Sequence, residues 1–490
     1  MSMPSDDDDD VPEQTAGNRR LLASEQDARR RKRERSRAVS VWKLCGINAF
    51  FLAYGAWISS FAIVTLPYES TRFFPDADAV ALGGFMFIAG ASQMSGPWAG
   101  YVSDRTRSAY GRRRPVLVKG AVVTAPSLVM LLVARTYYGS LGGWAPTLYY
   151  VAFTATMLAL NVMYTAASGI VPDMIPDDQT GQSNGVLAAM SAAGACMGFV
   201  YTMVHPDVGS LYWFYLALLA TCVPITCYCA TEESSLGGVA SSDDVESSAR
   251  EGSTSATVDS AFSWRELASM YTISPFVPEQ KSFFWLFVCR TLYYTGISAQ
   301  VFLLYLLRDT AVKEDGSGLE GHEPQQTVAR LSFIGQVGGM IAAYPAGLLS
   351  DVFGRKPLIV IACAGIISVY IMFMYIHRLT SIMYIGVYYG ALNGMFLSVD
   401  YALAIDCLPS RENAARWLAV WGVASFIGTS IGPTVFALIL HFSPQRADGR
   451  AYGSSQEGYD VMLVVGAVWM ALCASFLCLV DSKKPRAREL

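Results

Sequence analysis

Twelve stretches of the chain are long and apolar enough to cross a bilayer as helices. They lie at about 41–66, 79–103, 116–138, 144–171, 182–204, 211–231, 283–307, 328–350, 357–377, 381–406, 414–441 and 459–481. A crossing helix needs ~20 mostly apolar residues. Lipid offers no partner for open backbone groups, so helices satisfy a chain of this pattern. The runs fall six and six around a polar stretch at 232–282. The expected fold is therefore an all-α integral membrane protein, with twelve transmembrane helices in two six-helix bundles, 41–231 and 283–481. Polar tails flank them at 1–40 and 482–490.

The halves repeat one another. Between runs two and three stands Gly100-Tyr-Val-Ser-Asp104-Arg105-Thr-Arg-Ser-Ala-Tyr-Gly111-Arg112-Arg113-Arg114-Pro115. Between runs eight and nine stands Gly347-Leu-Leu-Ser-Asp351-Val-Phe-Gly354-Arg355-Lys356-Pro357. Both read Gly, Ser-Asp, Gly, a basic cluster, Pro. A second repeat closes runs four and ten, as Asp173-Met-Ile-Pro176 and Asp406-Cys-Leu-Pro409. Duplicated signatures at matching places suggest a duplicated, two-bundle membrane protein. An Asp near a helix C-terminus opposes the helix dipole unless a cation answers it. The nearby Arg clusters, Arg411 and Arg416 are the expected compensators. Small residues repeat as well: Gly194 and Gly198 in run five match Gly428 and Gly432 in run eleven, and each pair lets two helices approach closely.

Composition narrows the class. The 490 residues are 53% hydrophobic with mean hydropathy +0.34, too apolar for a soluble chain with such polar tails. A net charge of −4 gives no basic surface for nucleic acid. The ten cysteines lie almost all in or beside apolar runs, which excludes a secreted disulfide framework. Cys227-x-Cys229 lacks the second pair a metal site needs. No phosphate loop and no supported nucleophile–base pair stands out, so an enzyme is not expected and no cofactor is implied.

The first forty residues lack the apolar core of a signal peptide. Asp6 to Asp10 and the basic run 29–37 read as a disordered tail. The basic run either attracts anionic lipid or only sets topology. With both termini in the cytoplasm, about three quarters of the 36 Lys and Arg residues fall inside. All four histidines then fall outside, against a buried histidine proton relay. The stretch 232–282 is a Ser-, Gly- and acid-rich linker. It ends in Ser263-Trp-Arg-Glu266, a capping box with Trp264, Leu267, Met270 and Tyr271 on one face, so a short interfacial helix is expected there. The expected location is the plasma membrane, with an internal membrane as the alternative.

Polar groups inside apolar runs are costly and mark the solute path, or else join helices. Asn48, Tyr54, Trp57, Asn161, Tyr164, Tyr294, Gln300 and Asn393 are the binding candidates. Amides bond hydroxyls and aromatic rings stack on sugar faces, which suits a neutral, hydroxyl-rich solute. Arg290 and Asp400 differ, because a buried charge needs a partner or a task. Asp400 is the candidate proton carrier, since protonation removes its charge from the membrane. Arg290 pairs with it or with a substrate.

The two Gly-Ser-Asp loops resemble the signature loops of the major facilitator superfamily. That resemblance implies twelve helices in two bundles and alternating access. It also implies that Gly100, Asp104, Arg105, Gly111, Arg112, Arg113, Arg114 and Asp173, with Gly347, Asp351, Gly354, Arg355, Lys356, Asp406, Arg411 and Arg416, form a cytoplasmic charge network. In such a network the charges gate the bundles, the alternative being that they fix topology and loop shape alone. The Arg-Ser-x-Tyr-Gly-Arg-Arg-Arg-Pro extension looks like that of the glycoside–pentoside–hexuronide cation symporters and sucrose carriers. Leu66-Pro67-Tyr68 and Ser398-Val-Asp400-Tyr-Ala-Leu-Ala-Ile-Asp406 are similar to further stretches of that branch. It implies proton-coupled uptake of a sugar or glycoside. One departure stands out: where sucrose carriers have an acidic and a basic residue, this chain has Met157 and Ser168. Coupling then runs through helix ten, or the protein is a facilitator, or the solute is not a disaccharide. A carrier of an organic anion or amino acid and a non-transporting sensor are the other readings.

Overall fold

The computed structural model describes residues 39–106, 108–176, 179–230, 273–410, 414–443 and 456–481. The first bundle comprises α1 (Ala49–Phe73), α2 (Asp78–Arg105), α3 (Arg114–Thr136), α4 (Trp144–Met174), α5 (Thr180–Val204) and α6 (Val208–Cys229). The second comprises α7 (Pro278–Ile297, extended by Ser298–Phe302 and Leu303–Thr310), α8 (Glu323–Phe353), α9 (Arg355–Tyr375), α10 (Leu379–Asp406), α11 (Ala414–Phe442) and α12 (Gln456–Phe476). Among the described residues, eleven helices are long and apolar enough to cross a membrane. The twelfth, α7, falls short because Arg290, Tyr293, Tyr294 and Gln300 dilute its apolar run. Both tails, the capping-box stretch at 263–271 and Arg411 lie outside the described residues.

The apolar run read from sequence ends at position 66, yet α1 continues to Phe73. Its turns widen to π geometry over Trp57–Thr65, so the N–H that Pro67 lacks falls where the hydrogen-bond ladder changes register. The charged residues beyond Pro67 look like loop in sequence. Glu69 is in fact fully buried against Arg135 of α3, so helix is retained there.

Glycine sets the closest approaches. A Cβ at Gly194 of α5 would strike the Leu52 carbonyl of α1, and one at Gly55 would strike the Ser191 carbonyl. In the second bundle a Cβ at Gly428 of α11 would meet the Thr291 carbonyl of α7 at 2.6 Å. The expected correspondence of these glycine pairs thus holds in the packing: α5 on α1 matches α11 on α7.

The bundles meet through α2 against α11 and α5 against α8. Gly83 faces Ala437, and Gly90 faces Ser430. Ala195 and Phe199 of α5 cluster with Ala329 of α8. Among the described residues, hydrogen bonds join the bundles from Tyr305 to the carbonyls of Pro67 (3.0 Å) and Asp78 (3.4 Å), and from Gln326 to the carbonyl of Met203 (3.1 Å). These lie at the end opposite the basic loops. The bundles are joined there and part toward the loops.

Candidate functional site: charge sets in two bundles

The two repeated loops fold alike. Gly111 and Gly354 both carry left-handed backbone, with φ of 91° and 90°. A side chain at either position would be strained, which explains the glycine in each copy. Each glycine turns the chain so that the following arginines point back at the bundle. Arg113 bonds Asp104 (2.6 Å) and Asp173 (2.9 Å), and Arg112 grips Asp173 (2.5 and 3.1 Å). In the second bundle Arg355 bonds Asp406 (2.8 Å) and lies 4.0 Å from Asp351. Arg355 also reaches the Ala402 carbonyl, and Lys356 the Val480 carbonyl. The local Arg clusters therefore answer the Asp residues that the helix dipoles disfavour. Arg105 stacks on Tyr101, Arg114 heads α3, and Arg416 lies over Trp417. Gly100 and Gly347 pack on matching helices, against Thr165 of α4 and Ser398 of α10. Each of these ion pairs lies within one bundle.

Burial pushes the Cys407 thiol, just beyond α10, up to about 12, with the Asp406 carboxylate adding to the shift.

The candidate coupling pair comes together. Arg290 of α7 forms an ion pair with Asp400 of α10, and the two are 7% and 1% exposed. The guanidinium sits 3.4 Å over the Trp421 ring of α11 and 4.8 Å from that of Tyr294, whose hydroxyl accepts from it at 3.3 Å. Among the described residues neither its Nε nor the Trp421 indole has a hydrogen-bond partner. A desolvated cation over an aromatic face gains ~2 kcal/mol from the ring. The result is a charged latch in an aromatic cage, with donors unspent.

The binding candidates divide. Asn48 is fully buried and donates to the Leu44 carbonyl (2.9 Å) and the Ser183 hydroxyl (3.4 Å). Trp57 stacks on Phe61 and meets Tyr215 at a tilt of 52° within the first bundle. Asn161 donates to Ser92 at 2.8 Å. These three lie in helix packing. Tyr54 and Tyr164 are half-buried or exposed, with ring centroids 4.8 Å apart. Half-buried Asn393 accepts from Tyr293 (2.8 Å), and half-buried Gln300 accepts from Tyr389 (3.1 Å).

The structure adds residues that the sequence reading passed over. Glu69 and Arg135 pair at the end opposite the basic loops, with Asp207 3.1 Å from the same guanidinium. The second bundle answers with Arg308 and Asp309, the latter accepting from Tyr459 at 2.5 Å. Their charges end apolar runs and so look like loop residues. Trp421 looks like one more apolar position of α11.

The Major Facilitator Superfamily profile matches residues 7–199 and 286–490, leaving out 200–285, which holds α6 and the polar linker. The chain belongs to this superfamily. It is a multi-pass membrane protein of a transporter family. Solved structures agree in fold. The nucleoside transporter NupG superposes with TM-score 0.65 at 13% identity, covering 91% of this chain and 100% of that one. The peptide transporter POT in complex with sulfate gives 0.59 at 14%, covering 89% and 95%. A bacterial homolog of the human lysosomal transporter Spinster, inward-facing and occupied, gives 0.60 at 13%, covering 90% and 96%. No curated protein matches the chain.

Proposed function

We propose that this protein is a secondary transporter working by alternating access, in which protonation of Asp400 drives symport of a sugar or glycoside. The observation that carries the reading is the buried Arg290–Asp400 pair in its aromatic cage. While both groups are charged they neutralise each other. A proton on Asp400 ends that balance and leaves Arg290 seeking an acceptor, such as a solute hydroxyl. Proton and solute then arrive together, which is what symport requires.

The solute path runs between the bundles near exposed Tyr164 and the half-buried Tyr54, Tyr294, Gln300 and Asn393. The two loop charge sets bias each bundle's inner end as it rocks. With the basic loops in the cytoplasm, the conformation described is open inward. The sugar assignment rests on these amides and rings and on the loop extension shared with the sugar symporters. The unspent donors on Arg290 and Trp421 favour one second reading, a carrier of organic anions anchored by Arg290.

The test is solute uptake into proteoliposomes with and without an imposed proton gradient, across sugars, glycosides, organic anions and amino acids. Gradient-driven uphill sugar uptake, lost in Asp400→Asn while solute exchange persists, supports the proposal. Uptake that ignores the gradient refutes the symport. Full coupling in Asp400→Asn refutes the assignment of that residue.

A further inference from the structure

Glu69 is the fully buried glutamate of the described residues, and it stands apart from the Arg290–Asp400 pair, in the other bundle and at the end opposite the basic loops. One of its oxygens pairs with Arg135 of α3 and accepts from the Tyr212 hydroxyl of α6 at 3.5 Å. The other oxygen has no hydrogen-bond partner among the described residues. Tyr212 is also bonded to the Tyr149 hydroxyl of α4, at 2.8 Å. The charged and titratable groups that face Glu69 are thus Arg135 on α3, Tyr149 on α4, Tyr212 on α6 and Arg72 one turn further along α1. Asp207, just ahead of α6, holds the same Arg135 guanidinium at 3.1 Å.

Three features of this cluster suit a carboxyl that changes its charge better than a fixed ion pair. The main cost of neutralising one partner of a buried pair is the charge left stranded. Here the cation is shared: a proton on Glu69 leaves Arg135 paired with Asp207, whose side chain is 64% exposed at that end. A buried carboxylate with one oxygen bare is also poorly held in its charged form. Finally, the Tyr212 and Tyr149 hydroxyls can each donate or accept, so the pair can turn to receive a hydrogen bond from a protonated Glu69. The position matters as well. Glu69 stands two residues from Pro67, whose carbonyl takes the Tyr305 bond across the seam. The end of α1 is tied to α3 by the Glu69–Arg135 pair and by Arg72 on the Arg135 carbonyl at 3.1 Å. Just before this end, the π turns of Trp57–Thr65 interrupt the regular ladder of α1, and such interruptions are where helices bend.

We infer that Glu69 is a second proton-binding site, filled from the side opposite the basic loops, and that its protonation frees the end of α1 from α3. The proton removes the charged bond to Arg135 and leaves the weaker Arg72 bond to the Arg135 carbonyl as the tie. The end of α1 then moves with less restraint, carrying the Pro67 side of the seam with it. The site stands whether or not Asp400 carries a coupling proton.

The test uses full-length protein in liposomes. Infrared difference spectra are taken between about pH 8 and about pH 5.5, a range in which exposed glutamates stay largely ionised. Acidification produces the carbonyl band of a protonated carboxyl; the band shifts when the protein carries isotope-labelled glutamate, and Glu69→Gln lacks it. Spin labels at the ends of α1 and α3 report a released population that rises about tenfold over the same range. In Glu69→Gln that population is high at both pH values, and in Asp400→Asn it responds as in the unaltered protein. Three results overturn the inference: no label-shifted band, α1–α3 distances that ignore pH, or a pH response retained in Glu69→Gln. The first two are read on the unaltered protein, so they decide the matter even where Glu69→Gln does not fold. Glutamate labelling keeps Asp400 out of the signal, so failure here leaves the Asp400 proposal standing, and the converse holds.

Discussion

The Arg290–Asp400 pair makes a prediction whose magnitude follows from its surroundings. Asp400→Asn leaves a guanidinium that is 7% exposed and cannot lose its proton. Removing one partner of a buried pair costs roughly 3–5 kcal/mol. The Trp421 and Tyr294 rings stay in place and retain about 2 kcal/mol of stabilisation for the cation. A net loss of about 1–3 kcal/mol is expected. Arg290→Met leaves a carboxylate that can take up a proton and become neutral, so its loss is the smaller of the two. The double variant removes both charges and fills most of the volume with apolar groups and an amide. It should recover at least 1 kcal/mol relative to Asp400→Asn, giving a coupling energy on the order of 2 kcal/mol. For a bundle of about 200 residues, 1 kcal/mol moves the melting temperature by roughly 2–4 °C. The assay is thermal unfolding in detergent, followed by intrinsic fluorescence, for all four proteins. Additive losses, or Asp400→Asn costing under about 0.5 kcal/mol, would refute the view that these charges depend on each other.

Three further outcomes are expected. Gly354→Ala forces a side chain to φ 90°, ψ 155°, and should cost about 1–3 kcal/mol in thermal stability without altering the ion pairs of Asp104 and Asp173. Cys407, with its thiol pushed up to about 12, should react with maleimide at pH 8 on the order of a thousandfold more slowly than an ordinary exposed thiol, and mass spectrometry can compare it with exposed Cys478. Tyr305→Phe removes the bonds to the Pro67 and Asp78 carbonyls; a loss of about 1 kcal/mol from the joined state shifts the balance roughly fivefold toward separation, read from spin-label distances at that end.

How far the sequence could be read depends on whether a property is carried by one helix or by several. The twelve apolar runs, the two Gly-Ser-Asp loops and the paired glycines are local patterns, and the helices, the left-handed turns and the close contacts follow them. Arg290 and Asp400 were legible for a similar reason. A charge in an apolar run stands out, and there are few partners it can have. Their cage was not legible, because Trp421 differs from any other apolar residue of α11 only once α7 lies beside it. Glu69 was hidden by a different effect. It follows Pro67 and precedes Ser70, Thr71 and Arg72, so the local pattern says that the membrane run has ended. Arg135, sixty-six positions away, with Tyr212 of α6 donating to the same carboxylate, makes its burial tolerable. Asn48 and Trp57 show the same limit from the other side. Their residue types fit a solute path, but their neighbours on α5 and α6 place them in packing.

The charge distribution bears on how such a molecule moves. At the basic-loop end Arg112, Arg113 and Arg355 spend their strong bonds on carboxylates of their own bundle, so these bonds survive any rigid-body motion of one bundle against the other. The loops thereby stiffen each bundle's end without fixing their separation. At the opposite end the bundles are joined by hydrogen bonds worth only about 1 kcal/mol net each, by glycine contacts, and by the attraction of Arg308 for Asp78 across the seam. A seam of that strength leaves the joined and separated states within reach of a single binding event or proton transfer, since ~5.5 kcal/mol of differential affinity carries a two-state balance from one extreme to the other. A buried ion pair across the seam would hold one state too firmly. Among the described residues every close ion pair lies within one bundle and the contacts between bundles are weaker, which gives two rigid bodies and a softer joint, as alternating access demands.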